Sequence, residues 1–166
     1  MAIFVEVNKI RDSLGRNTIH FSSLMRENVS KIQTKKMLDN KKCYHPERGG
    51  IITNIQNSVF NDVQKLNPKL NVKKDGDLNN MTMEVCIVTG YISECKTYQD
   101  LAKRIVERWC TSEPHKMVLE YYGKDKYPSN NRQQYLVGSC SSKLGNFQGS
   151  DCIYATFHVG IVYIKL

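Results

Sequence analysis

Thr97–Leu119, TYQDLAKRIVERWCTSEPHKMVL, carries the clearest helix signals in the chain and the joint between two helices. Thr97 followed three residues later by Asp100 forms a capping box, which marks a helix start. Leu101, Ile105, Val106 and Trp109 then recur at helical spacing, so one face of this helix buries the chain's single tryptophan. Thr111-Ser112-Glu113-Pro114 closes that helix and opens a second. Pro114 suits a first helical turn and Ser112 suits a cap. His115, one of four histidines, follows the proline and is aimed off the core at the joint.

Towards the N-terminus, Phe4, Val7, Ile10 and Leu14 predict a helix over 3–14, ended by Gly15. Leu24, Met25, Val29, Ile32, Met37 and Leu38 predict a second, with Ser22 or Ser23 as cap. CYHPERGG (43–50) is irregular, and TNIQNSVFNDVQKL (53–66) predicts a third helix stopped at Asn67-Pro68. MTMEVCIVTG (81–90) fits helix or strand, and 121–133 reads as a polar loop rich in tyrosine and asparagine. The tail alternates: QYLVGSCSS (134–142), a glycine-containing turn, then CIYATFHVGIVYIKL (152–166) predict antiparallel strands. Helices first and a small sheet late give an α+β fold in one domain, 1–166.

A net charge of +8 fits either a basic solvated surface with no specific partner or affinity for acidic surfaces such as nucleic acid, anionic glycans or lipid headgroups. The lysines are scattered, with no arginine-rich arm or RNA-binding aromatic motif beside them, which argues against a nucleic-acid module. No apolar run approaches the roughly 18 residues of a membrane helix. No basic–apolar leader opens the chain, so a secreted protein would stand here in mature form. The six cysteines, Cys43, Cys86, Cys95, Cys110, Cys140 and Cys152, contain no Cys-x-x-Cys pair, which excludes zinc ribbons and thioredoxin-type sites. They fit either disulfides, with Cys140–Cys152 across a strand pair and Cys86–Cys95 across a short loop, or buried thiols. Gly-x-Ser-x-Gly, His-Glu-x-x-His, phosphate-loop and dinucleotide motifs are all absent.

Five places along the chain carry a family resemblance. VNKIRDSLG (Val7–Gly15) resembles the opening helix of the CAP superfamily, usually Leu-Asn-x-x-Arg followed by glycine. KKCYHP puts His45 where that family has a histidine, and MTMEVCIV puts Glu84 where it has Gly-Glu-Asn. ERWCTSEPHKMVL resembles the bacterial Trp-x-x-Ser-Pro-Gly-His-x-x-x-Leu signature, and GSCSS with CIYATFHVG resembles the two closing strands. Val85 follows Glu84 instead of asparagine, Pro114 directly precedes His115, and Phe157 replaces a usual glutamine.

The resemblance implies an α-β-α sandwich with a three-stranded antiparallel sheet covered by helices. It implies a cleft gathering His45, Glu84 and His115, an extracellular or cell-surface location, disulfides, and no generally accepted reaction. Two imidazoles and a carboxylate can ligate Zn2+ or another divalent cation, with Glu113 or Glu94 orienting a histidine. The same trio can hold a small anionic ligand or simply form a buried network. The expected function is non-enzymatic binding of a lipid, glycan or partner protein through this cleft and a basic, tyrosine-rich surface, Tyr121 to Tyr127. The alternative is a divalent-metal-dependent hydrolase with Glu84 as ligand or base. His158 shares a face with Tyr154 and Thr156 and reads as a solvent or strand-edge residue, with the cleft as the alternative, and His20 reads as a surface loop residue.

Overall fold

The computed structural model describes residues 1–45, 61, 64–65, 68, 80–89, 92–121 and 132–165. Helix α1 (Ala2–Ser13) leads to a short strand β1 (Ile19–Phe21). A helical run follows in three parts: α2 (Ser23–Met25), a π-helical turn (Arg26–Ser30) and α3 (Lys31–Asp39). Then come β2 (Asn80–Thr89), a 3-10 turn (Ile92–Glu94), α4 (Tyr98–Cys110), α5 (Glu113–Tyr121), β3 (Arg132–Phe147) and β4 (Ser150–Lys165). The helix expected over 53–66 lies outside the described residues, apart from helical positions 61, 64 and 65.

The sheet runs β1-β3-β4-β2, antiparallel except for the β1–β3 pair. The ambiguous stretch is thus a strand over residues 81–89, fitting its β-branched content. β3 and β4 form one long hairpin whose two-residue turn places Gln148 and Gly149 at φ of 52° and 83°. Two positive φ values match the right-handed twist of the flanking strands. β4 is central, and 152–160 is buried throughout.

Helices cover both sheet faces, giving the expected α+β sandwich. On one face α1, α4 and α5 pack over Ile153, Ala155, Phe157 and Val159. Trp109 is fully buried there against Phe157, with ring centroids 6.2 Å apart, and Phe4 stacks at 5.8 Å on the same ring. Thr97 and Asp100 form the capping box of α4 as its sequence predicts. The π turn and α3 cover the other face, over Cys152, Tyr154, Thr156 and His158.

The Asn-x-x-Arg pair of α1 joins elements. Asn8 Nδ2 donates to Ile19 O and Asn8 Oδ1 accepts from Ile19 N, both at 2.9 Å, clamping β1. Fully buried Arg11 donates from Nε to Asn17 O at 2.8 Å and from Nη1 to Leu119 O at 3.1 Å, tying α1 to α5. Burial, then the nearby Arg16 charge, lowers its pKa to about 10, so it stays charged at neutral pH.

Candidate functional site

The face under α3 is polar. Ser30 and Thr34, one helical turn apart, meet Ser139, Thr156 and His158, all fully buried. Register places Ser139 opposite His158 and Ser141 opposite Thr156. Ser30 Oγ lies 2.6 Å from Ser139 Oγ and 2.7 Å from His158 Nδ1. Thr34 Oγ1 donates to Ser30 O at 2.8 Å and lies 3.0 Å from Thr156 Oγ1. Such a hydroxyl layer satisfies itself in a dry interior.

His158 is therefore a buried residue, and the solvent-facing expectation is corrected. Period-two alternation gave its face correctly, shared with Tyr154 and Thr156. That face is covered by the π turn, so the face carries no exposure. Burial, and second the charge of His45, lowers its pKa to about 3. A serine 2.7 Å from an imidazole has the spacing of a nucleophile and its base. Ser30 has no exposed surface on which to meet a substrate, so the contact is packing.

His45 lies near enough for its charge to reach both His158 and His115, which stands on α5. Gln33 Nε2 donates to Tyr44 O at 2.8 Å, holding the backbone next to His45 against α3. His45 is exposed and His115 half-buried. Burial lowers the pKa of His115 first, and neighbouring His45 and Arg108 lower it further; burial also lowers His45. Both histidines are thus biased towards the neutral form that ligates metals. Glu84 lies on β2 opposite Phe157, and its side chain is outside the described residues. Among the described residues no group of three His, Cys, Asp or Glu side chains is arranged to hold a cation. Glu94 is engaged elsewhere, accepting from Arg104 Nη2 at 3.2 Å, and Glu113 is exposed. His20 is exposed as expected, but on β1.

The Cys140–Cys152 bridge is also corrected. Cys140 pairs with Phe157 and packs in the core under α4, whereas Cys152 pairs with Gly145 and packs under α3. Cys110, Cys140 and Cys152 are thiols, each with its pKa raised chiefly by burial. Cys86 is buried beside Ala155, Cys95 is half-buried and Cys43 exposed.

A cavity of about 420 Å³ opens where β3 runs beyond β1. Ile3, Leu101, Ala102, Ile105 and Ile153 form an apolar wall, while Arg26 and Lys143 supply positive charge. Exposed Tyr98 and Leu144 stand at its rim. Reading the sequence alone missed this site and the hydroxyl layer. The available signals were Ser30 and Thr34 at one-turn spacing, and hydroxyls at alternate positions 139 and 141.

No protein-family model and no curated protein matches the chain. Among solved structures it is similar to an outer surface protein from Borrelia burgdorferi, at 15% identity over 94% of this chain and 88% of that one, with a TM-score of 0.46. Among the described residues no helix is long and apolar enough to cross a membrane.

Proposed function

We propose that this chain is a CAP-type domain of an extracellular or cell-surface protein that acts by binding a ligand or partner and not by catalysis. Its working surface is the cavity at the outer edge of β3. The observation that carries the reading is the composition of that cavity, an apolar wall beside Arg26 and Lys143 in about 420 Å³. Few polar groups placed on a largely apolar concave surface is the usual make-up of a binding site. The ordered motifs support the CAP reading, and so do the joining roles of Asn8 and Arg11 within the first of them.

The anilinonaphthalene sulfonate dye, an apolar body with one negative charge, tests the reading. The folded protein binds it saturably at one site, and Arg26→Glu and Leu144→Glu each weaken binding about tenfold or more, with thermal melts unchanged. Absence of dye fluorescence with folded protein refutes the reading.

One observation favours the metal-dependent hydrolase as a second reading, the lowered pKa of both His45 and His115, with the His45 charge acting on His115. Zinc binding is its first requirement.

A further inference from the structure

β3 continues past its outer neighbour. β1 pairs only with Leu136, Val137 and Gly138, and Ser22 N donates to Gly138 O at 2.7 Å at the end of that pairing. Within a strand, the N–H and C=O of one residue point to one side and those of the next to the other. Gly138 faces outward, so the backbones of Ser142 and Leu144 do too, while Lys143 turns inward to Tyr154 of β4. Ser142 and Leu144 are exposed, and among the described residues no strand pairs with them on that side.

The cavity against this edge has its chemistry sorted by face. Cys140 packs in the core with Ile3 and Ala102, so Ser142 and Leu144 share that apolar face by alternation. Ser139 faces the π turn, so Lys143 shares the opposite face, on which the π turn carries Arg26. Arg26 already meets Glu27 at 3.2 Å in an exposed pair, which leaves guanidinium donors for another carboxylate.

We propose that this open edge binds an extended peptide of another protein by strand addition, and that the peptide alternates acidic and apolar side chains. The proposal rests on the binding reading above and names its partner. Backbone bonds to Ser142 and Leu144 hold the added strand in line with β1. Because an extended chain sends successive side chains to opposite faces, its apolar ones meet Ile3, Leu101 and Leu144, and its carboxylates meet Arg26 and Lys143. A second copy of this chain fits poorly, because edge-to-edge pairing brings Lys143 towards its own copy. The net charge of +8 attracts acidic partners.

The test uses a capped, fluorescent hexapeptide of alternating glutamate and valine, followed by fluorescence anisotropy. Saturable binding is expected, roughly tenfold or more weaker for the lysine–valine counterpart and for a peptide N-methylated at the alternate amides facing β3. Methylation of the other set is tolerated, since an added strand uses one edge. Binding slows hydrogen exchange at the Ser142 and Leu144 amides. Leu144→Pro removes one outward N–H at an edge position where proline is tolerated, and weakens binding about tenfold. If that variant melts early, Lys143→Glu replaces it, expected to reverse the preference between the two peptides.

Equal binding of both methylated peptides, or unchanged exchange at Ser142 and Leu144, overturns strand addition. So does self-association through this edge that excludes the peptide. If the dye binds at one site and the acidic peptide does not, strand addition fails while the cavity reading stands. If neither binds, both fail.

Discussion

Acid should unfold this protein in a window set by His158. The imidazole is fully buried, its Nε2 has no hydrogen-bond partner among the described residues, and its pKa is about 3 in the fold. An unfolded chain returns it to about 6.5. Between those values the unfolded state binds the extra proton, so stability rises with pH; it is complete above about 6.5 and lost as pH falls towards about 3. Linkage from about pH 7 to about pH 5 gives a loss of about 2 kcal/mol from this one group. For a chain of this size that is a fall in Tm of about 4–8 °C. His45 and His115, also lowered, add in the same direction. Glu27 and Asp100, lowered by their hydrogen bonds to Lys31 and Thr97, lose their contribution mainly at lower pH.

Thermal melts at the two pH values, for the wild type and His158→Asn, isolate the effect. Asparagine keeps a polar atom near the Nδ1 position to meet Ser30 but cannot take up the proton. Its smaller volume costs stability at both pH values, so the diagnostic is the slope. The wild-type fall should exceed the variant's by about 4–8 °C. Equal falls would refute the assignment of the acid sensitivity to His158.

Other consequences are equally specific. Arg11→Met leaves the Asn17 and Leu119 carbonyls without their donor inside the α1–α5 junction, which should cost about 2–4 kcal/mol by urea denaturation. Gly138→Ala puts a Cβ 2.6 Å from His158 O and 2.9 Å from Ile19 Cγ2. Backbone cannot give way as a flexible side chain would, so a loss of about 1–3 kcal/mol is expected, together with weaker docking of β1 seen in hydrogen exchange. On the hydrolase reading, calorimetric zinc titration gives one-site binding that His45→Ala and His115→Ala each abolish. Undiminished heat in either variant removes these histidines from the ligand set.

The helices around Trp109 were legible because their signals are local. A capping box and a 3.6-residue period lie within a few turns, and they give α4 and its buried face directly. The long hairpin was legible for the same reason, from alternation. What alternation cannot supply is coverage. It put His158 on the right face of β4, but exposure depends on the π turn, which comes from a distant part of the sequence. β1 was missed because three residues carry almost no periodicity; it forms because Asn8 satisfies both backbone groups of Ile19 from the next element. In the candidate cleft the sequence placed His45 beside α3, where Gln33 holds the neighbouring Tyr44 backbone, and His115 at the α4–α5 joint, while the third member, Glu84, stands on β2 opposite Phe157.

The cysteine error and the missed cavity share one cause, which is register. The turn at Gln148-Gly149 fixes which residues of β3 and β4 stand opposite one another. In that register, paired positions differ in parity, so even-numbered Cys140 and Cys152 fall on opposite faces and cannot bridge. The same turn sets Lys143 on the face of Arg26, and Ser142 and Leu144 on the face of Leu101, beyond the end of β1. A slip of one residue between β3 and the rest of the sheet would exchange these faces. It would send the cation into the apolar wall and leucine towards Arg26. The sorted chemistry of the open edge is thus fixed by a two-residue turn that contributes no side chain to it.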